Sequence, residues 1–221
     1  MPTLRQKRWL SIANQALLAG EKISLKYFDY NRTSLYDFKE YREIVTDADT
    51  KTNDAILGVL HKLTPEIPVL SEEGADINRE ALSNADLAWV LDPIDGTTNF
   101  AARLPLWGIS LALVQNGEPI LGVISLPNLG QRYHAIKGEG AWMGKQRLTV
   151  TSTKKIDNSL GLLCYGYSGP HIQKGLKMMN QFSKVTRAAR RLGAAVIEAT
   201  WVASGRADFS ILNGVRPWDI A

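Results

Sequence analysis

Two short apolar runs end in carboxylates. Leu70 leads into Ser71-Glu72-Glu73, and Val90-Leu91 leads into Asp92-Pro93-Ile94-Asp95-Gly96-Thr97-Thr98-Asn99-Phe100. A further acid, Asp219, closes the string Arg216-Pro217-Trp218-Asp219. Two unit charges about 4 Å apart repel by roughly 4 kcal/mol at an effective dielectric of 20. Carboxylates brought together therefore need protons or cations. Oxygen ligands without a nearby histidine or cysteine suit Mg²⁺, Mn²⁺ or Ca²⁺ rather than zinc. Pro93 fixes its own φ and biases Asp92 towards extended backbone. Gly96 permits a tight turn, and Thr97 and Thr98 suit a helix N-cap. A strand, a rigid turn and a helix start would aim Asp92 and Asp95 at one point and offer backbone N–H groups to an anion. Carboxylates beside such a turn point to metal-assisted phosphoryl transfer. The plain alternatives are turn capping for Asp92 and Asp95, and an ordinary acid near a proline turn for Asp219.

The elements that must carry these residues can be read from periodicity. Leu4, Trp9, Ile12, Ala13 and Ala16 predict an amphipathic helix ending near Gly20. The polar, aromatic-rich stretch 27–41 reads as loop or irregular strand. Ala55, Ile56, Val59, Leu60 and Leu63 form the stripe of a second helix that stops before Pro65. Short strands are expected at 67–70 and 87–91, each running into acids. Segments 108–114 and 120–126 flank Asn116-Gly117, a hairpin signal, and 133–136 extends the meander. Residues 144–159, rich in Lys, Thr, Ser and Asn, read as a surface connection. Beyond it come a strand at 160–165, helices at 172–182 and 194–203, and a strand at 208–212. The first half is more antiparallel and the second alternates, so the fold class is α/β in the mixed α+β sense. The expected division is an N-terminal α+β subdomain, 1–150, with most metal ligands, and a C-terminal α/β subdomain, 151–221.

Composition limits the function classes. With 45% hydrophobic and 22% charged residues in 221, a disordered chain, a collagen-like repeat and a coiled coil are excluded. A net charge of +4 is too mild to argue nucleic-acid binding by itself. The single cysteine, Cys164, forbids an intrachain disulfide, and the expected compartment is the cytoplasm. No apolar run approaches the ~20 residues that span a bilayer.

The string from Asp92 to Phe100 resembles the signature of the inositol monophosphatase family, the lithium-sensitive, magnesium-dependent phosphatases. Val45-Thr46-Asp47-Ala48-Asp49 resembles that family's upstream acidic motif, and Glu72-Glu73 its paired glutamates. Gly193-Ala194-Ala195, with Gly205-Arg206-Ala207-Asp208, resembles its substrate-side segment, and Trp218-Asp219 its late Trp-Asp motif. The resemblance implies a layered α-β-α-β-α sandwich of the sugar phosphatase type and hydrolysis of a small phosphate monoester. It also implies two to three Mg²⁺ ions, with Mn²⁺ as a substitute. By resemblance, Glu72, Asp92 and the carbonyl of Ile94 hold one ion; Asp92, Asp95 and Asp219 hold a second; and Glu72 touches a third. Thr97 and Asp49 would orient and help deprotonate the attacking water, with Asp47 as the rival acid in that motif. Gly96 and Thr97 would hold phosphate oxygens, and Gly193, Ala194, Ala195 and Asp219 would line the substrate side. A homodimer is also implied, with no membrane partner.

Other residues have plainer readings. Glu73 reads as a supporting or solvated acid. His61, His134 and His171 have no metal spacing, and Cys164 reads as a buried small hydrophobe. Lys184, Arg187, Arg190 and Arg191 form a basic run whose plain reading is a solvated face; the sharper ones are phosphate steering or nucleic-acid contact. Two departures from the family pattern stand out. Leu212 occupies the place of an acid that contacts substrate hydroxyls, which predicts broad, shallow specificity. The sequence ends two residues after Asp219, so the second subdomain is expected to lack its C-terminal segment. Other possible substrates are a sugar bisphosphate, histidinol phosphate or a nucleotide 3′-phosphate. The alternative of another class is a regulatory RNA- or protein-binding paralogue.

Overall fold

The computed structural model describes residues 2–29, 36–40, 43–74 and 85–221. Helix α1 (Leu4–Tyr27) opens with a capping box in which Thr3 and Gln6 satisfy each other's backbone N–H groups. It does not end near Gly20 as its stripe predicts. Helix α2 (Asp47–Leu63) packs against α1, and a Cβ on Gly20 would stand 2.6 Å from Ile56 Cδ1. The glycine is a close-packing point inside a helix, not a stop. Strands β1 (Asp37–Glu40) and β2 (Glu43–Val45) form a small antiparallel pair. β1, with a register irregularity between Phe38 and Glu40, falls within the stretch 27–41 read as loop or irregular strand, of which 30–35 and 41 lie outside the described residues.

A seven-stranded sheet follows. It is built from β3 (Val69–Ser71), β4 (Leu87–Asp95), β5 (Gly108–Gln115), β6 (Glu118–Leu126), β7 (Gln131–Ile136), β8 (Gly140–Met143) and β9 (Gln146–Arg147), paired in that order. β3 runs parallel to β4, and all other neighbours are antiparallel. The β5–β6 hairpin turns at Asn116 and Gly117 with φ of 50° and 80°, as a tight two-residue turn requires. β4 does not stop at Leu91; it continues to Asp95 through an irregularity. Asp92 pairs with Ser110 and Asp95 with Gly108, so three steps on β4 face two on β5. Pro93, which has no N–H to give the ladder, sits in this bulge. Short helix α3 (Thr97–Ala101) starts at once, and its N-cap is Gly96, φ 89°, in place of the threonines. A threonine could not adopt that left-handed backbone without strain.

The second sheet is wholly parallel, ordered β11 (Ala188–Arg190), β10 (Leu160–Tyr165), β12 (Phe209–Asn213). Helix α4 (Gly169–Val185) covers it on one side, with Phe182 against Phe209 at 5.3 Å. Helix α5 (Ala195–Ala203) is apolar nearly all round, which fits burial on more than one face. Its Val196 and Ile197 pack with Leu126 and Tyr133 of the large sheet, while the helix also contacts β10 and β12. With α1 and α2 on the far face of the large sheet, the layers run α-β-α-β-α, a mixed α/β fold. Helix α6 (Pro217–Ile220) closes the described chain against β4 and β5.

Candidate active site

The bulge in β4 sets the site. The Asp92 side chain accepts from the N–H of Ile94 at 3.1 Å, and the turn so formed directs Ile94 O and Asp95 to the same side as Asp92. Asp92 and Asp95 are buried, 1% and 9% exposed. β3 delivers Glu72 next to them, because its N–H bonds Leu91 O at 3.1 Å. Asp219 arrives from α6, where its carboxylate caps the N–H of Arg216 at 2.6 Å. One carboxylate oxygen from each of Asp92, Asp95 and Asp219 lies within 4.8 Å of the others. No ion is present. Burial first, then Glu72, Asp95, Asp219 and Asp49, raise Asp92 well above the ordinary carboxylate range. Burial also raises Asp95, against the backbone N–H of Val196; Asp219 and Glu72 add to the rise.

Asp95 also joins the layers. Its Oδ2 accepts from Val196 N–H at 2.6 Å, in the first turn of α5, which has no side-chain cap of its own. A carboxylate there meets an unpaired donor and the positive end of the helix.

Asp49 stands just behind. It is the third residue of α2 and closes a capping box: its Oδ2 accepts from Thr46 N–H at 2.9 Å and Thr46 Oγ1 at 2.6 Å. Its Oδ1 accepts from Thr97 Oγ1 at 3.0 Å, and that hydroxyl also lies 3.1 Å from Ile94 O. Capping the helix and facing the site are both done by this one buried carboxylate. Burial lifts its pKa to about 6, with Glu73 adding to the rise. Asp47, its rival, is exposed on the first turn of α2.

A cavity of about 390 Å³ collects most of the expected residues: Glu72, Asp92, Ile94, Asp95, Gly96, Thr97, Gly193, Ala195 and Asp219 all line it. Ala194 does not. It lies behind Gly96, whose Cβ, if present, would stand 3.0 Å from that of Ala194. Leu212 also falls outside the lining. It sits within β12 beside Cys164, and the wall there is built by the residues that follow the strand, Gly214, Val215 and Arg216. Cys164 is only partly buried and faces the cavity, a correction to its reading as a core residue. Burial, with Glu198, Asp95 and Asp219 adding to it, pushes its thiol far up, so it is no nucleophile. No histidine joins the acid group among the described residues.

Sequence reasoning passed over the roles of two contributors. Asn99 Nδ2 donates to Leu106 O at 2.7 Å and to Leu192 O at 2.8 Å. Glu198, fully buried, accepts from Leu192 N–H at 3.2 Å and from Ser210 Oγ at 3.0 Å. Burial raises its pKa to about 7. Together they hold the turn at Gly193, φ 79°, from both sides. A lone acid in the apolar run 194–203 was the available signal. Of the basic run, read from sequence as a solvated face or as steering phosphate or nucleic acid, only Arg191 lines the cavity.

A layered α/β sandwich with an oxygen-only carboxylate cluster between its sheets defines the class: a fold equipped to hold hard cations. The chain belongs to the inositol monophosphatase family, whose family model matches residues 5–221. This is a metal-dependent family of phosphoric monoester hydrolases. A fructose-1,6-bisphosphatase/inositol-1-monophosphatase of Thermotoga maritima is 35% identical over 82% of this chain and 66% of its own. The Nus factor SuhB of Pasteurella multocida is 29% identical over 96% of this chain and 79% of its own. The solved structure of the extragenic suppressor protein suhB of Bartonella henselae superposes with a TM-score of 0.88 at 25% identity, covering 96% of this chain and 81% of the other. The chain thus spans about two thirds of the length of the first relative and about four fifths of the other two. No helix among the described residues is long and apolar enough to cross a membrane.

Proposed function

We propose that the chain hydrolyses a small phosphate monoester of the inositol monophosphate kind, using water and Mg²⁺. The observation that carries this reading is the convergence of Asp92, Asp95 and Asp219 within 4.8 Å. The donor set fits the ion. It is all oxygen, and the largest influences on Asp92 are burial and other carboxylates, an arrangement a divalent cation offsets. Glu72, Asp92, Asp95, Asp219 and the carbonyl of Ile94 would hold it. Bound there, Mg²⁺ would supply charge neutralisation at phosphoryl oxygens and a more acidic water.

The chain's own residues do the rest. Asp49, with a pKa of about 6, is ionised at neutral pH and takes up a proton through the Thr97 hydroxyl. The N–H groups of Gly96 and Thr97 orient the phosphate. Gly193 and Ala195 line the side where the alcohol sits. In the reaction a water oxygen bonds to phosphorus, the ester P–O bond breaks, and the departing alkoxide takes a proton.

The test is a screen over phosphate monoesters, with Mg²⁺ and with chelator. Inositol phosphates and glycerol 2-phosphate should turn over only with Mg²⁺ or Mn²⁺, and turnover in chelator would refute the reading. Lithium on the order of millimolar should inhibit, as weak binding of a monovalent ion at such a site implies. A second reading, binding to RNA or to transcription proteins, draws on the relative named as a Nus factor. RNA binding that survives loss of turnover in Asp92→Asn, and is lost in Arg187→Ala/Arg190→Ala, would support it.

A further inference from the structure

Helix α2 turns one face to the large sheet, and that face is not wholly apolar. Asp49, Asn53, Ile56, Leu60 and the capping residue Thr64 follow one another along it at helical spacing, and all are buried. Its polar members bond to three different elements. Asp49 accepts from Thr97 Oγ1 of α3 at 3.0 Å, and Thr64 Oγ1 accepts from Trp89 Nε1 of β4 at 3.1 Å. Between them, Ser71 Oγ at the end of β3 donates to Asn53 Oδ1 at 2.6 Å, and both partners are buried.

Ser71 is the residue before Glu72. Its backbone pairs with Leu91 of β4, its carbonyl accepts from Gly74 N–H at 3.2 Å, and Glu72 N–H bonds Leu91 O at 3.1 Å. The chain around Glu72 is thus fixed to β4 and to its own turn, and the Ser71 hydroxyl adds the tie to α2. Asn53 lies one turn beyond Asp49 in the same helix. One hydrogen bond therefore joins the rigid element that carries Asp49 to the strand end that carries Glu72. The cavity lining includes neither Asn53 nor Ser71. Such a pair contributes little to stability by itself, because burying a hydroxyl and an amide costs most of what their bond returns. What it supplies is register. An apolar face that slides still finds apolar neighbours, whereas a displaced hydroxyl and amide are left unpaired.

We propose that Asn53 and Ser71 are positioning residues for the hydrolysis: their buried hydrogen bond sets the register of α2 on the large sheet, and with it the separation of the Asp49–Thr97 pair from Glu72. They act through the carboxylate that takes up the proton and a carboxylate that would hold the cation, and touch no substrate themselves. This rests on the phosphatase reading above. A displacement of about 1 Å between groups that must act together lowers turnover by about 100-fold, so one buried bond can govern the rate.

The experiment separates placement from stability. Ser71→Ala and Asn53→Leu each leave one member of the pair buried without its partner, so both should melt below the wild type in chelator. The double variant removes both groups together and should regain most of that loss. Function should not follow stability. In both singles and in the double, kcat for inositol 1-phosphate at saturating Mg²⁺ should fall by about 10–100-fold. KM should hardly change, because neither residue lines the cavity. Calorimetry without substrate should show Mg²⁺ bound about tenfold more weakly, the scale on which residues behind a metal shell act. Ser71→Thr, which keeps the hydroxyl, should restore most of kcat and of Mg²⁺ affinity. Recovery of kcat and Mg²⁺ affinity along with the melting temperature in the double variant would show a purely structural pair and overturn the proposal. If the double variant does not fold, Ser71→Ala decides: undiminished kcat and Mg²⁺ affinity there overturn the proposal and leave the phosphatase reading intact. No Mg²⁺ binding and no turnover of any phosphate by the wild type overturn the phosphatase reading, and this proposal with it.

Discussion

Thr97 Oγ1 donates to Asp49 Oδ1 across 3.0 Å, linking the first turns of α3 and α2 over 48 residues of sequence. The same hydroxyl is 3.1 Å from Ile94 O, so its single proton sits between a carboxylate and a carbonyl of the proposed metal shell. A relay of this kind matters only if both ends are in place. Thr97→Val and Asp49→Asn should each lower kcat by about 10²–10⁴-fold, the usual scale for a lost acid–base partner. The double variant should lose little more than either single one, since the two act as a unit. Steady-state kinetics on inositol 1-phosphate would show it; multiplicative losses would argue that they act separately.

Asp92→Asn should remove nearly all turnover, by about a thousandfold or more. Asp92 is 1% exposed and leads the bulge that gathers the cluster, and the amide would also weaken cation binding. The fold should persist, because Ile94 N–H keeps an oxygen to bond. Calorimetry with Mg²⁺, alongside circular dichroism, separates lost metal from lost structure. Full activity in this variant would end the metal-cluster reading.

The acids of the site also predict an unusual dependence of stability on pH. Burial raises Asp49 from 3.8 to about 6 and Glu198 from 4.5 to about 7. The folded chain then binds protons more tightly than the unfolded one, so these groups contribute stability that is complete below about pH 4. That contribution is lost as pH rises through about 7, to the order of 3 kcal/mol for each group. In chelator, the chain should therefore melt at a higher temperature at pH 5 than at pH 8. Glu198→Gln should flatten the slope. A melting temperature that climbs steadily from pH 5 to pH 8 would contradict the assigned burial.

Glu198 has a mechanical role open to test. Glu198→Ala would leave the Leu192 N–H and the Ser210 hydroxyl without their acceptor inside the protein, at about 1–3 kcal/mol for each unsatisfied group. Stability should fall by about that much. KM should rise through the loosened Gly193 turn, while Glu198→Gln, which keeps one acceptor oxygen, should recover most of both. Denaturant melts and kinetics on the two variants would check it, and equal defects in Ala and Gln would show that charge matters more than the bonds.

Most elements were legible from local pattern. The hairpin at Asn116-Gly117, the strand at Leu160–Tyr165 and the apolar helix Ala195–Ala203 fall where period and turn chemistry place them. Two readings failed for tertiary reasons. Gly20 looks like a helix stop and is a contact with Ile56. Asp92-Pro93-Ile94-Asp95 looks like a turn after a strand and is a bulge within one, held by pairing to Ser110 and Gly108. Leu212, which by count stands where the family has an acid that contacts substrate hydroxyls, lies inside β12, while Gly214 to Arg216 form the wall.

By itself the sequence determined the donor chemistry and the family, because residue types set which cations and reactions are open, and the motifs keep their order along the chain. The resemblance named which acids should meet; only the tertiary structure decided how they are brought together. Asp219 joins Asp92 and Asp95 from α6, 124 residues beyond Asp95, and Asp95 ties itself to Val196 in α5. Nor could spacing reveal that, of the four basic residues from Lys184 to Arg191, Arg191 alone lines the cavity, or that a single glutamate inside an apolar helix holds its wall. Those outcomes depend on how helices and sheets stack. Stacking is governed by burial summed over the whole core, a quantity that no local window of sequence contains.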